Sequence, residues 1–143
     1  MVKIQKKIHY KGTVLVEAAL VFPLLLLLTL GAIEYGWIFL KSQQITNAAR
    51  QGARVAIRAD ATTQDVLTTI DYLMTAADMA NSGYQVEISP SDVSSVEPTF
   101  SINVKVTVPC ANVVLINAPA LLPTPTTLRA AVSMVKEGPY GGP

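Results

Sequence analysis

Few side chains in this sequence are placed to do chemistry, and the clearest is a carboxylate in an unexpected position. In KGTVLVEAALVFPLLLLLTLGAIEYG, Lys11 to Gly36, Glu17 stands five residues past Gly12, at the mouth of an apolar run. A carboxylate in a membrane segment costs up to about 2.5–3.5 kcal/mol at mid-bilayer, less near the edge, and nothing in lipid repays it. It requires a cation. The remaining reactive groups are sparse: Cys110 is the single cysteine, with no base near it in sequence, and the single histidine, His9, lies in a basic leader. A Cys110 at a buried alternation position reads as a small core hydrophobe, not a nucleophile. Asp60, Asp65, Asp71, Asp78 and Glu87 are scattered, without calcium-loop spacing, and no glycine-rich phosphate loop occurs. The sequence therefore predicts no enzyme, no metal, no cofactor and no small-molecule substrate.

The elements that hold Glu17 follow from hydropathy and charge. The chain has 143 residues, 50% of them hydrophobic, and a mean hydropathy of +0.39, apolar for a soluble domain of that length. The net charge of +1, from 11 basic and 10 acidic groups, argues against electrostatic nucleic-acid binding. Lys3, Lys6, Lys7 and Lys11 all precede the apolar run, and without residues 1–12 there remain 7 basic and 10 acidic groups. Ala18 to Ile33 carries no charge; as helix it spans about 24 Å, and continued to Leu40 about 34 Å, enough for a hydrocarbon core of about 30 Å. Glu34 then falls near the far interface, where headgroup water is in reach and where Tyr35 and Trp37 suit the aromatic belt. Lysines before the span favour an N-terminus inside and a C-terminal head outside. A cleaved secretory signal is the competing reading, but no A-x-A site directly follows the leucine run and Glu17 interrupts it.

Gly12, Thr13 and Glu17, between a lysine-rich leader and an apolar helix, resemble the class III signal of type IV pilins and pseudopilins. The longer stretch from Gly12 to Gly36, followed by NAARQGARVA (Asn47 to Ala56), resembles the TadE-like family of minor pseudopilins of the tight-adherence, or Flp, pilus system. LRAAVSMVKE, Leu128 to Glu137, is similar to that family's closing strand. The resemblance implies cleavage after Gly12 by a prepilin peptidase, residence in the cytoplasmic membrane with lipid around the helix, and other pilins or pseudopilins as partners in a pilus used for surface attachment. It also implies that Glu17 pairs with the new amine of Thr13 on a neighbouring subunit. Mature pilins usually begin with phenylalanine, and this one would begin with threonine. The alternative is an uncleaved single-pass protein whose outer domain binds a partner.

The expected organisation is a leader over 1–12, a membrane helix over 13–40, its continuation over 41–59, a small α+β head over 60–137 and a disordered tail over 138–143. In the continuation Arg50, Arg54 and Arg58 recur every four residues among small residues that let another backbone approach. The stripe is either a solvated face or, with Glu34, a subunit contact. Thr62 and Asp65 mark a helix start, and Asn81-Ser82-Gly83 a stop. Tyr84, Val86 and Ile88 predict one strand; Phe100 to Cys110 alternates as a second; Leu128, Ala130, Val132 and Met134 line a third. A three-stranded antiparallel sheet covered by the second helix, or by the tail of the first, gives a type IV pilin-like head. ANVVLINAPALLPTPT is apolar for a connection, and either packs under the sheet or marks a membrane or partner contact.

Overall fold

The uncharged run and everything after it as far as Ala56 form one helix. The computed structural model describes residues 11–116 and 122–138, so the leader expected over 1–12 and the tail expected over 138–143 lie almost wholly outside the described residues. Helix α1 spans Lys11–Ala56, with Pro23 inside it. Pro23 removes one amide from the helix ladder, which leaves the carbonyl of Ala19 without its usual donor but does not end the helix. Thr29 returns its hydroxyl to the carbonyl of Leu25 at 2.8 Å, so its donor is satisfied within the helix.

Helix α2 spans Thr63–Ala76 and begins at the expected signal. The Thr62 hydroxyl accepts from the amide of Asp65, and the Asp65 carboxylate accepts from the amide of Thr62 at 2.9 Å, a reciprocal capping box. The stop is earlier than Asn81-Ser82-Gly83. Asp78 takes a left-handed conformation, φ 56°, its amide bonds back to the carbonyl of Thr75, and the amide of Met79 bonds to the carbonyl of Met74. That is a Schellman closure with aspartate in the place glycine usually holds, and Met79 and Met74 are both buried beneath it.

Strands β1 (Gln85–Ser89), β2 (Ser101–Pro109) and β3 (Thr127–Val135) pair antiparallel in the order β1-β2-β3. Alternation works as expected in β2, where Ile102, Val104, Val106 and Val108 are buried. Phe100 departs from it. It lies one residue before β2, next to Thr99 at φ 75°, and is exposed. On the polar face Glu87 and Lys105 are direct cross-strand partners, 2.9 Å apart.

The C-terminal half of α1, not α2, covers the apolar face of the sheet. Ile45, Ala48, Ala49, Ala53 and Ala56 are fully buried there, with Val66, Ile70 and Met74 of α2 packed on the same helix. Gly52 marks the crossing: a Cβ at that position would lie 2.7 Å from Cδ1 of Ile70 and 3.6 Å from Cγ1 of Val104. Small residues every three or four positions thus let α2 and the sheet approach the α1 backbone within this chain.

Candidate functional site

Two stretches of α1 hold the candidate residues, and they differ in surroundings. The first is the N-terminal stretch. Gly12, Thr13 and Glu17 are exposed, and so is every residue from there to Leu30. Val14, Leu15, Leu20, Phe22 and Leu24 through Leu28 stand bare. In the most apolar 18-residue window of the helix the mean hydropathy is 2.4 and none of the window is buried, so α1 is long and apolar enough to cross a membrane. The leucine run does not fold into the head. Glu17 lies in this bare segment, and among the described residues it forms no ion pair.

The second stretch begins at Gly31. From there Gly31, Glu34, Ile38, Lys41, Ile45 and Ala48 recur at spacings of three and four and face the head. Two members are charged, and the fold satisfies both. Glu34 is fully buried, and its carboxylate accepts from the backbone amides of Leu115, at 3.2 Å, and Ile116, at 2.8 Å. The expectation that Glu34 reaches headgroup water is therefore overturned. Both its oxygens are engaged within the chain, because the loop after β2 brings donors that match them. Lys41 is 5% exposed, donates to the carbonyl of Ala77 at 2.7 Å and lies 4.9 Å from the centre of the Trp37 ring. Ala77 is the C-cap of α2, where unsatisfied carbonyls and the helix dipole favour a cation.

Neighbours of Glu34 fasten the same loop. Trp37 donates from Nε1 to the carbonyl of Val113 at 2.8 Å, and Tyr35 donates to the carbonyl of Pro123 at 2.7 Å. Leu122 packs over Gly31, with its Cδ2 3.4 Å from where a Cβ would stand. In the described part of this loop Val113 is buried with the core, Leu122 is buried against α1 at Gly31, and Leu115 is exposed. Cys110 is buried at the loop's root, where desolvation, with the nearby Glu34 charge adding to it, pushes the thiol pKa up. A thiol held protonated is a poor nucleophile.

The arginine stripe is divided. Arg50 and Arg54 are exposed on α1, but Arg58 is not in the helix, which stops at Ala56. Arg58 lies in the following turn and pairs with Asp60 at 3.0 Å, both well exposed, an arrangement worth little. The Arg58 guanidinium holds the Asp60 carboxyl below its ordinary value. The small residues between the arginines are those buried against α2 and the sheet. The structure therefore does not unite the sequence-predicted residues: Glu17 and Glu34 are separated by about 25 Å of helix. Lys41 was missed as a site residue; the signal available was its position one turn after Trp37.

Among the described residues no group of three or more His, Cys, Asp and Glu could hold a metal ion. Arg58, Asp60, Asp65, Thr68 and Tyr72 border an open cleft at the far end of α1. It has no paired nucleophile and base.

Residues 12–54 match the family model for TadE-like protein. The match covers less than a third of the chain and coincides with α1 up to two residues from its end, so the head lies outside it. No curated protein and no solved structure matches the chain. The TadE-like match and the candidate membrane helix fit a component of the Tad pilus, anchored in a membrane, in a family known for structural and not enzymatic work.

Proposed function

We propose that this chain is a TadE-like minor pseudopilin, held in the cytoplasmic membrane by α1 with its N-terminus inside and its head outside. A prepilin peptidase cuts it after Gly12, and it takes part in assembling a tight-adherence (Flp) pilus used in surface attachment. One observation carries this reading. The half of α1 that contains Gly12 and Glu17 buries nothing against its own head, while the half from Gly31 onward packs one face on it, and the TadE-like match runs across both. A helix so divided is built to be covered by something else, first by lipid and then by neighbouring helices. Glu17 supplies the register, because a carboxylate surrounded by lipid needs a partner to offset its charge, and the Thr13 amine freed by cleavage brings one.

Arg50 and Arg54, exposed on the head-packed half of α1, are the remaining residues for contact with a neighbouring subunit's carboxylates. Co-expression with a prepilin peptidase and the pilus machinery tests the scheme. Gly12→Ala is expected to block processing, and Glu17→Ala to be processed yet to fail in assembly. A processed Gly12→Ala chain, or normal assembly of Glu17→Ala, contradicts the corresponding step.

A further inference from the structure

The bonds between α1 and the loop after β2 fall at a telling height on the helix. At about 1.5 Å per residue, a hydrocarbon core about 30 Å thick that starts at Lys11 ends near Gly31, and one that starts at Glu17 ends near Trp37. Gly31, Glu34, Tyr35 and Trp37 are the residues that hold the loop. Wherever the inner boundary lies between Lys11 and Glu17, the loop is fastened at the outer boundary of the bilayer.

The loop is chemically suited to that depth. Residues 106–128 carry no charged side chain. Leu115 is exposed to the extent of 56%, and Phe39 and Ile33 on the adjoining helix are 66% and 51% exposed. Irregular backbone is expensive in lipid because its amides and carbonyls have no water to bond. Here the Glu34 carboxylate takes the amides of Leu115 and Ile116, while Trp37 and Tyr35 bond the carbonyls of Val113 and Pro123. On the membrane-anchored reading, we infer that the segments Val113–Ile116 and Leu122–Pro123 form a second membrane contact, seated in the outer interface beside α1. Glu34 is then a positioning residue whose carboxylate accepts from backbone amides where water cannot. The occupant of the exposed apolar surface around Leu115 is lipid acyl chain, continuous with the lipid around the bare half of α1. The head would thereby be held at a defined height and tilt until the helix is drawn out.

Site-directed spin labelling of the full chain in phosphatidylcholine and phosphatidylglycerol vesicles tests this. Cys110 is replaced by alanine, and single cysteines are placed at exposed positions by Leu115→Cys, Leu26→Cys and Val135→Cys. The label at 115 is expected to collide with dissolved oxygen severalfold more than with a water-soluble nickel chelate, ranking with 26 and apart from 135. Adding Glu34→Ala is expected to move 115 toward the chelate-accessible ranking of 135 and leave 26 unchanged. If 115 ranks with 135 while 26 remains shielded, the loop inference fails and the anchor stands. If 26 is also open to the chelate, the anchored reading fails and takes the loop inference with it.

Discussion

The two halves of α1 are one helix in two solvents. Before Gly31 its side chains are mostly leucine, valine and phenylalanine, large and bare; from Glu34 on the buried positions are mostly alanine and glycine, with two isoleucines, one glutamate and one lysine. Large apolar residues suit a surrounding that has no fixed shape to fit, since acyl chains adapt to whatever they meet. Small residues suit a neighbour with a backbone of its own, because they let α2 and the sheet come close. Hydrophobicity alone would assign the core to the wrong half. What identifies the packed half is close approach and the satisfaction of buried polar groups.

Substitutions that respect this division should separate head stability from membrane behaviour. The largest effect is expected in the shared core. Ile70→Ala removes a fully buried side chain between α2, Gly52 and the sheet, and should lower head stability by about 2–5 kcal/mol in denaturant titrations in detergent. Gly52→Val forces its side chain into Ile70 and should cost about 1–3 kcal/mol, whereas Gly36→Ala, which meets nothing within 4 Å, should be neutral or slightly stabilising. Equal responses at the two glycines would erase the distinction between the helix faces.

A smaller effect is expected at the capping box. Thr62→Ala should cost about 1 kcal/mol. Its partner also sets a pH dependence: hydrogen bonds from the Thr62 hydroxyl and amide hold the Asp65 carboxyl below its ordinary value of 3.8. A group whose folded pKa is depressed adds stability that is complete above the unfolded value and is lost as pH falls through the folded one. The Thr62→Ala deficit measured at pH 7 should therefore shrink below about pH 3.8. The smallest effect belongs to the bare half. Leu26→Ala should leave the head's unfolding midpoint unchanged, since the side chain touches nothing in the head; a shift as large as that of Gly52→Val would mean that the run is folded against it.

Much of this was legible in the sequence because local chemistry decides it. The alternation of Ile102 to Val108, the Thr62 and Asp65 start of α2 and the length of the apolar run each need only neighbours in the chain. The features that escaped are decided at a distance or by an uncommon residue. Glu34 meets amides some 80 residues away, and no pattern around it announces them. The α1 face toward the head mixes Gly31, Glu34 and Lys41 with Ile38 and Ile45, so an apolar period passes over it. Aspartate rarely takes the left-handed conformation, so Asp78 ended α2 unseen while Asn81-Ser82-Gly83 read as the stop. Arg58 continued a spacing of four beyond the point where the helix had ended.

The central claim is that the bare half of α1 becomes a mature N-terminus in the membrane, with a free amine at Thr13 to meet Glu17. The intact mass of the protein extracted from membranes of cells that carry the pilus machinery tests it most directly. The account predicts a chain that has lost residues 1–12 and begins at Thr13; a chain that retains Met1 through Gly12 while the pilus assembles would contradict it.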